Sequence, residues 1–171
     1  MRIWQRRLCC GRSPSAMPDV FSPEKRSEVM SLIRSKGNRS TEKRLLALMR
    51  EAGIKGWRRH VPLRFETRQA DPCGGLRPRA GRVRPDFVFR LERVAVFVDG
   101  CFWHGCPRHA AQPRQNRKFW REKIARNQAR DALTTKGLRR NGWRVLRIWE
   151  CALAPKRQAA TLRRLVRALK G

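Results

Sequence analysis

Apolar residues recur along this chain at two spacings, which together predict alternating helices and strands. Helical spacing, with capping and stop signals at the ends, predicts helices over residues 22–34, 41–52 and 116–139 and a last helix that opens at Pro155. Runs of branched and aromatic residues predict strands over residues 57–65, with a break at Pro62, and over residues 85–89, 94–98 and 143–149. The strand over 143–149 alternates apolar side chains onto both sides, so both of its faces are expected to be covered.

Two segments lack this periodicity. Residues 1–16 carry arginines and small residues without any periodic spacing of apolar positions. They are predicted to be a disordered extension of a single domain over residues 17–171. Residues 66–82 contain two prolines, three glycines and four arginines with little apolar content, which predicts a long mobile loop. The remaining chain is long enough for one domain with a sizeable core.

The large positive net charge of the chain indicates a polyanionic partner. The chain has 42 Lys and Arg against 13 Asp and Glu, a formal net charge of +29 that is spread along its whole length. Nucleic acid is the leading candidate for the partner. The sequence predicts neither a membrane span nor an export signal, so a cytoplasmic location is expected and the six cysteines are interpreted as metal ligands and free thiols.

Most of the candidate metal ligands, and a candidate acid–base histidine, lie in one stretch, residues 98–109. Cys101, Cys106 and His109 follow a C-x4-C-x2-H spacing that can wrap a tetrahedral ion, and Cys151 is the best candidate for the fourth ligand of a structural zinc site. The alternative is that the cysteines are small core residues and the histidines are satisfied polar ones. If zinc is bound, His104 is left over inside the loop, where it is well placed for acid–base chemistry.

Carboxylates are expected close to this loop. The strands over 85–89 and 94–98 are separated by a short turn, and as a hairpin they would bring Asp86 near Asp99. Two converging carboxylates suit Mg2+, which prefers hard oxygen ligands, although each acid taken alone could simply flank its strand in solvent. Glu42 lies in the first turn of a predicted helix, where it could complement the helix dipole or belong to an active site.

Taken together, the motifs resemble those of the very short patch repair endonucleases. The matching stretches cover residues 17–171 and are Phe21-Ser22-Pro23-Glu24-Lys25-Arg26-Ser27, Ser40-Thr41-Glu42-Lys43-Arg44-Leu45, Arg84-Pro85-Asp86-Phe87, Asp99-Gly100-Cys101-Phe102-Trp103-His104-Gly105-Cys106, Phe119-Trp120, Gly142-Trp143-Arg144-Val145 and Trp149-Glu150-Cys151-Ala152-Leu153. The resemblance implies an α/β, restriction-endonuclease-like fold, in which helices flank a mixed central sheet, with a structural zinc site. It also implies a Mg2+-dependent enzyme that nicks DNA 5′ of the thymine in T·G mismatches left by deamination of 5-methylcytosine.

The resemblance also implies roles for individual residues. Asp86 would bind Mg2+ together with the backbone carbonyl of Val98, and His104 would be the general base. Glu42 and Asp131 would orient side chains or the waters on the metal. The side chains that would wedge into the base stack beside the mismatch are Phe102, Trp103 and Trp120. Mismatched steps cost the least to unstack, so aromatic wedges would select them.

Some features depart from the family pattern. Asp99 stands where the best-known member has a histidine, which leaves the role of this acid open, and residues 66–82 are longer than the usual link into the Arg-Pro-Asp motif.

The expected partner is double-stranded DNA bound by a monomer in the bacterial nucleoid, with mismatch-repair factors as conceivable further partners. Two alternative functions remain: a non-catalytic zinc-stapled DNA-binding module, and a restriction-type nuclease of the same fold.

Overall fold

A four-stranded mixed sheet forms the centre of the protein in the computed structural model, which describes residues 41–70, 76–109 and 116–171. Its helices are α1 (Glu42–Glu51), α2 (Arg117–Arg140) and α3 (Pro155–Lys170), with a 3-10 helix over Glu150–Leu153. Its strands are β1 (Trp57–Arg59), β2 (Leu63–Ala70), β3 (Leu76–Val83), β4 (Phe87–Phe89), β5 (Val94–Asp99) and β6 (Arg144–Trp149). The central sheet has the order β1-β4-β5-β6, in which only β5 and β6 run parallel.

Alternation along the central strands gives the sheet two buried faces. On one face, Val94 and Val96 of β5 pack with apolar residues of α1 and α3, among them Leu45 and Leu165. On the other face, Ala95 and Phe97 pack with Leu138 of α2 and with β2. Val94, Ala95 and Val96 have no exposed surface, because neighbouring residues of this strand point in turn into two different cores.

The helices and the central strands are largely as predicted. The hairpin is confirmed, because β4 and β5 pair antiparallel with Phe87 opposite Val96. Both faces of β6 are covered, with Leu146 and Ile148 in the first core and Val145 packed against the second. The prediction of helices flanking a mixed sheet is therefore confirmed. The break that Pro62 predicts in the strand over residues 57–65 is confirmed, since β1 and β2 lie on either side of it, although β2 continues to Ala70.

The prediction of a mobile loop over residues 66–82 is wrong. β2 and β3 form a two-stranded antiparallel ribbon with a register from Leu63 opposite Val83 to Ala70 opposite Leu76. Its glycines mark close packing, since a Cβ atom on Gly81 or on Gly137 of α2 would overlap the ring of Phe65. The two glycines therefore provide the space in which Phe65 is clamped between the ribbon and α2.

Among the described residues, no helix combines the length and the apolar character needed to cross a bilayer. The predicted disorder of residues 1–16 and the helix predicted over residues 22–34 fall outside the residues that the structure describes.

Candidate active site

The candidate site lies where β5 ends and the chain enters the loop of residues 100–109. Asp99 is the last residue of β5, and Asp86 directly precedes β4. Glu42 is the first residue of α1, while Asp131 lies in the middle of α2. These acids are distant in sequence, and the fold sorts them into two clusters that lie close to each other.

The first cluster contains Glu42, His60 and Asp86, whose ligand atoms all lie within 4.8 Å of one another. The Glu42 side chain is 5% exposed, and its Oε2 lies 3.1 Å from Nε2 of His60 and 2.7 Å from Nη2 of Arg59. The backbone N–H of Val98 donates to Oδ2 of Asp86 over 2.6 Å. Two carboxylates and an imidazole therefore face a common point, an arrangement that can hold a divalent cation.

Burial of this cluster raises the pKa of Asp86 to about 7. Loss of hydration is the largest cause, and the negative charge of Glu42 and, less strongly, of Asp99 acts in the same direction. The N–H of Val98 opposes the rise, since it stabilises the ionised form. Loss of hydration therefore leaves the ionised form of Asp86 poorly stabilised, and a bound cation would supply positive charge beside it.

The second cluster orients His104. Nδ1 of His104 lies 2.5 Å from Oδ2 of Asp131 and 3.7 Å from Oδ1 of Asp99. Arg147 joins the two acids, with its Nη2 2.6 Å from Oδ1 of Asp99 and 3.1 Å from Oδ2 of Asp131. An imidazole whose Nδ1–H donates to a carboxylate carries its free lone pair on Nε2, so the contact with Asp131 favours a base on that nitrogen.

Arg147 offsets part of the negative charge of the second cluster. Burial raises the pKa of Asp131, but the hydrogen bond with His104 and the charge of Arg147 outweigh it, so its pKa lies below the usual value. Asp99 is 4% exposed and both of its oxygens accept hydrogen bonds from Arg147. A carboxylate occupied in this way has little capacity left for a metal ion.

The expectation that Asp86 and Asp99 together form a two-carboxylate Mg2+ site therefore needs correction. The hairpin does bring the two acids near each other, but Asp86 is grouped with Glu42, and Asp99 with His104 and Asp131. The reason is Arg147 on the neighbouring strand β6, whose guanidinium engages Asp99 at two points. The acid that partners Asp86 comes from α1 instead.

The structure brings the four predicted zinc ligands together. The ligand atoms of Cys101, Cys106, His109 and Cys151 all lie within 4.8 Å of one another, and Sγ of Cys106 lies 3.8 Å from both Sγ of Cys151 and Nδ1 of His109. A tetrahedron with Zn–S bonds of about 2.3 Å has edges of about 3.8 Å, so the side chains fit this ion. The separation of the sulfur atoms is far too long for a disulfide of about 2.05 Å.

Thiol acidity differs within this cluster, because burial raises the pKa of Cys101 to about 12. Burial raises the pKa of Cys106, but hydrogen bonds from the backbone N–H groups of Arg108 and His109 and from the His109 ring outweigh it and lower the pKa to about 6. The loop is also tied to the segment that carries Cys151, because the N–H of Cys101 donates to Oε2 of Glu150 over 3.3 Å. The thiolate form is the one that binds metal ions.

Helix α2 fixes the backbone of the loop on its other side. Nδ2 of Asn127 donates to the carbonyl of Trp103 over 2.9 Å, and Nε2 of Gln128 donates to that of His104 over 3.2 Å. Gly105 adopts a φ of 66°, and a Cβ there would lie 2.5 Å from Nε2 of Gln128. Glycine is therefore favoured at this position, since the turn is left-handed and a side chain would displace Gln128 and press against Ile124.

An aromatic cluster borders the same loop. Phe102, Trp103 and Trp120 are mutually in edge contact, with ring centroids 5.1 to 5.9 Å apart, and Phe119 lies 5.3 Å from Trp120. Trp120 is only 7% exposed, whereas Phe119 is 49% exposed. Nζ of Lys123 lies within 6 Å of three of these rings. Of the predicted wedge residues, Trp120 is thus the one that the other rings enclose.

Three residues of the two clusters were missed by the sequence analysis. Arg147 had been interpreted only as a polar position in β6, and Arg59 and His60 as parts of a strand. Arg147 lies 48 positions from Asp99, and Arg59 lies 17 positions from Glu42, so no local spacing links these partners. A useful signal would have been the parallel pairing of β5 with β6, which puts Phe97 opposite Arg147 near the end of β5.

Comparisons with known proteins agree with this geometry. The sequence model of the family described as DNA mismatch endonuclease Vsr matches residues 75–110. The type II nicking enzyme V.XorIIP of Xanthomonas oryzae is 35% identical over 81% of this chain and 88% of its own length. The DNA mismatch endonuclease Vsr of Escherichia coli is 36% identical over 80% of this chain and 76% of its own.

A further relative matches more closely over a shorter stretch. The type II nicking enzyme V.NaeI of Lentzea aerocolonigenes is 52% identical over 69 residues, which are 40% of this chain and 42% of that enzyme. Together with the histidine and carboxylate clusters, these matches define the class of the protein, which is a DNA endonuclease. The chain belongs to the Vsr family, the very short patch repair endonucleases.

Proposed function

We propose that the protein nicks DNA on the 5′ side of the thymine in T·G mismatches that arise from deamination of 5-methylcytosine, by Mg2+-dependent hydrolysis of one phosphodiester bond. The mismatch endonuclease of Escherichia coli, with its 36% identity, supports the substrate. The net charge of +29 supports a DNA partner. On this proposal the fold is restriction-endonuclease-like, and residues 17–171 form a single domain that acts as a monomer.

The observation that carries the proposal is the orientation of His104. Its Nδ1 contacts Asp131 at 2.5 Å, which favours Nε2 as the proton acceptor. The neighbouring cluster of Glu42, His60 and Asp86 supplies carboxylates for a cation. A base next to a candidate cation site is what phosphodiester hydrolysis requires, and a module that only binds DNA has no need of either.

In the proposed reaction, Asp86 and the backbone carbonyl of Val98 hold Mg2+. In an extended strand the N–H and the carbonyl of one residue point to the same side, and the N–H of Val98 donates to Asp86, so this carbonyl also faces Asp86. The ion supplies positive charge that offsets the charge developing on the phosphate.

The second cluster, which contains Asp99, His104 and Asp131, would carry out the proton transfer. Nε2 of His104 accepts a proton from the attacking water while the oxygen of that water bonds to phosphorus and the bond from phosphorus to the leaving oxygen breaks. Asp131 and Asp99 stabilise the imidazolium that forms, while Arg147 holds both acids in place and favours the ionised form of Asp131. Glu42, in the same cluster as Asp86, would bind the ion or orient the waters around it.

We further propose that zinc at Cys101, Cys106, His109 and Cys151 is structural. The four side chains fill a tetrahedron and leave no open position for a substrate. Phe102 and Trp103, which lie in the same loop, would enter the base stack beside the mismatch, while Trp120 supports them from α2. A fixed loop would hold the general base and the aromatic wedge at a constant distance from each other.

The test is a nicking assay on three duplexes that differ only in one pair: T·G, U·G and C·G. We expect cleavage of one strand, 5′ of the mismatched thymine, and little or no cleavage of the C·G duplex. Removing Mg2+ while zinc is retained should abolish nicking without abolishing binding.

Each alternative has its own signature in this assay. Equal nicking of C·G and T·G duplexes would indicate a restriction-type nuclease of the same fold. Binding without nicking under all metal conditions would indicate a DNA-binding module.

A further inference from the structure

His60 stands at a point where the backbone is strained, directly beside the two carboxylates of the first cluster. Its φ is 53°, in the left-handed region, and its N–H contacts the carbonyl of Asp86 at 3.4 Å. The register of β1 with β4 pairs Arg59 with Phe87, so the next pair along places His60 opposite Asp86. Left-handed residues other than glycine cost free energy, and they persist where the surrounding structure or the function requires them.

We propose that His60, through its Nε2 atom, joins Asp86, Glu42 and the Val98 carbonyl as a protein ligand of the divalent cation, and that it shifts the preference of the site from Mg2+ toward Mn2+. This inference rests on the proposed cation site and goes beyond it by assigning a nitrogen ligand. Neither a predicted motif nor a predicted cluster in the sequence pointed to this residue.

Distances within the cluster fit a coordination shell. Neighbouring ligands of an octahedral ion with bonds of about 2.1 Å are about 3 Å apart. Nε2 of His60 lies 3.1 Å from Oε2 of Glu42, and the ligand atoms of all three residues lie within 4.8 Å of one another. Glu42 and His60 could therefore occupy adjacent positions of one shell with little movement.

The chemistry of the donor set decides the preferred ion. Mg2+ takes oxygen ligands and keeps several waters, whereas imidazole nitrogen suits first-row transition ions. Two carboxylates with one imidazole therefore favour an ion such as Mn2+ over Mg2+, compared with two carboxylates alone. Asp99, His104 and Asp131 form a competing triad, but Arg147 occupies both oxygens of Asp99, which disfavours a second cation there.

Electron paramagnetic resonance of Mn2+ bound to the full chain tests this directly. The dissociation constant comes from the signal of free Mn2+, and electron spin echo modulation detects a directly bound 14N nucleus. The protein has three histidines, of which His109 would be occupied by zinc. We therefore compare zinc-loaded wild-type protein with His60→Asn and with His104→Gln as the matched control.

Asparagine suits the test because it tolerates the left-handed conformation and is too short to replace the imidazole. We expect histidine-type 14N modulation in the wild type and in His104→Gln but not in His60→Asn. We also expect His60→Asn to bind Mn2+ at least about tenfold more weakly and to lose part of its preference for Mn2+ over Mg2+.

A second variant, His60→Gly, separates ligand loss from backbone strain. Glycine relieves the strain, so this variant should be at least as stable in thermal unfolding and yet bind Mn2+ as weakly as His60→Asn. If His60→Asn misfolds, His60→Gly provides the comparison.

Failure of this inference can be told apart from failure of the proposed cation site. If Asp86→Asn abolishes Mn2+ binding but the wild type shows no histidine modulation, His60 only orients Glu42 and the inference is wrong. Modulation that persists in His60→Asn and disappears in His104→Gln would place the cation in the other triad. If Asp86→Asn binds Mn2+ as tightly as the wild type, the proposed cation site itself fails.

Discussion

Arg147 holds Asp99 in a two-point ion pair, with Nε 2.7 Å from Oδ2 and Nη2 2.6 Å from Oδ1. Asp99 stands where the best-known member of the family has a histidine, and a bare carboxylate there would place an additional charge beside His104. Arg147 neutralises it, and the same Nη2 reaches Asp131. Asp99 and Arg147 therefore act as a neutral unit, and Asp131 supplies the remaining negative charge beside His104.

The pairing of these residues predicts a specific rescue. Arg147→Leu should lower the single-turnover nicking rate on a T·G duplex, because it leaves Asp99 buried and unpaired. Adding Asp99→Asn should restore much of the lost rate and of the lost thermal stability. The coupling between the two substitutions is expected to be about 1–3 kcal/mol. Effects that simply add would mean that Arg147 acts independently of Asp99.

The aromatic cluster predicts different effects for two tryptophans. Trp120→Ala should lower the stability by about 3–5 kcal/mol, since the side chain is 7% exposed and is enclosed by the other rings. Trp103→Ala should leave the folded state nearly as stable and instead reduce unstacking at the mismatch. Fluorescence of 2-aminopurine placed beside a T·G pair measures that unstacking. An unchanged signal with Trp103→Ala would remove this residue from the wedge.

The Cys/His cluster predicts that stability and zinc content change together. Cys151→Ser should lower both, because a structural site that loses one thiolate binds its ion more weakly and no longer closes the loop. Cys73→Ser is the control, since the sequence places this cysteine outside the site, and it should change neither. Metal analysis and thermal unfolding of both variants provide the measurement. A full equivalent of zinc with an unchanged melting temperature in Cys151→Ser would contradict the ligand assignment.

Features that are local in sequence were the ones that could be predicted. Cys101, Cys106 and His109 fall within nine residues, so spacing alone was enough to propose a site that closes on Cys151. The hairpin that presents Asp86 also followed from alternation and a short turn. In both cases the determinants are neighbours along the chain.

Features that depend on packing between distant segments could not be predicted. Gly81 was included in a predicted loop, whereas it leaves space for the ring of Phe65. Gly137, on the distant helix α2, leaves space on the other side of the same ring. The left-handed backbone of His60 has no signature in composition. The pairing of Arg147 could not be inferred from its own strand, because its partners lie on β5 and α2.

The raised pKa of Asp86 predicts how cation binding depends on pH. Its pKa is about 7 in the folded protein without metal, against 3.8 as the ordinary value, so the folded state retains a proton that the unfolded state loses. The contribution of this group to stability is present below pH 3.8 and is lost as pH rises through 7. A cation must displace that proton, so affinity for Mg2+ should rise about tenfold per pH unit up to about pH 7 and then level off.

Calorimetric titration with Mg2+ between about pH 5.5 and about pH 8.5 measures this dependence. Repeating the titration in buffers with different ionisation enthalpies counts the protons released. About one proton should be released near pH 6, and almost none above pH 8. An affinity that is flat below pH 7 would show that Asp86 is already ionised or does not bind the ion.

The first cluster is proposed to bind the cation and the second to transfer the proton, and neither to bind DNA. Asp86→Asn and His104→Gln should therefore slow the nicking reaction without weakening DNA binding. Each should nick a T·G duplex at least about a hundredfold more slowly than the wild type, the usual scale for loss of an acid–base group. Zinc content and DNA affinity should remain, because neither side chain is a zinc ligand on this assignment. Glu51→Gln, which also removes a carboxylate but from an exposed position on α1, controls for the change in charge and should nick normally.

The response to Mg2+ then distinguishes the two residues. A higher Mg2+ concentration should partly restore Asp86→Asn, because the asparagine oxygen and the Val98 carbonyl still offer weak ligands. It should not restore His104→Gln, in which the proton acceptor is missing whatever ion is bound. A wild-type rate in either variant would make that residue structural, and wild-type rates in both would overturn the catalytic assignment while leaving the family membership intact.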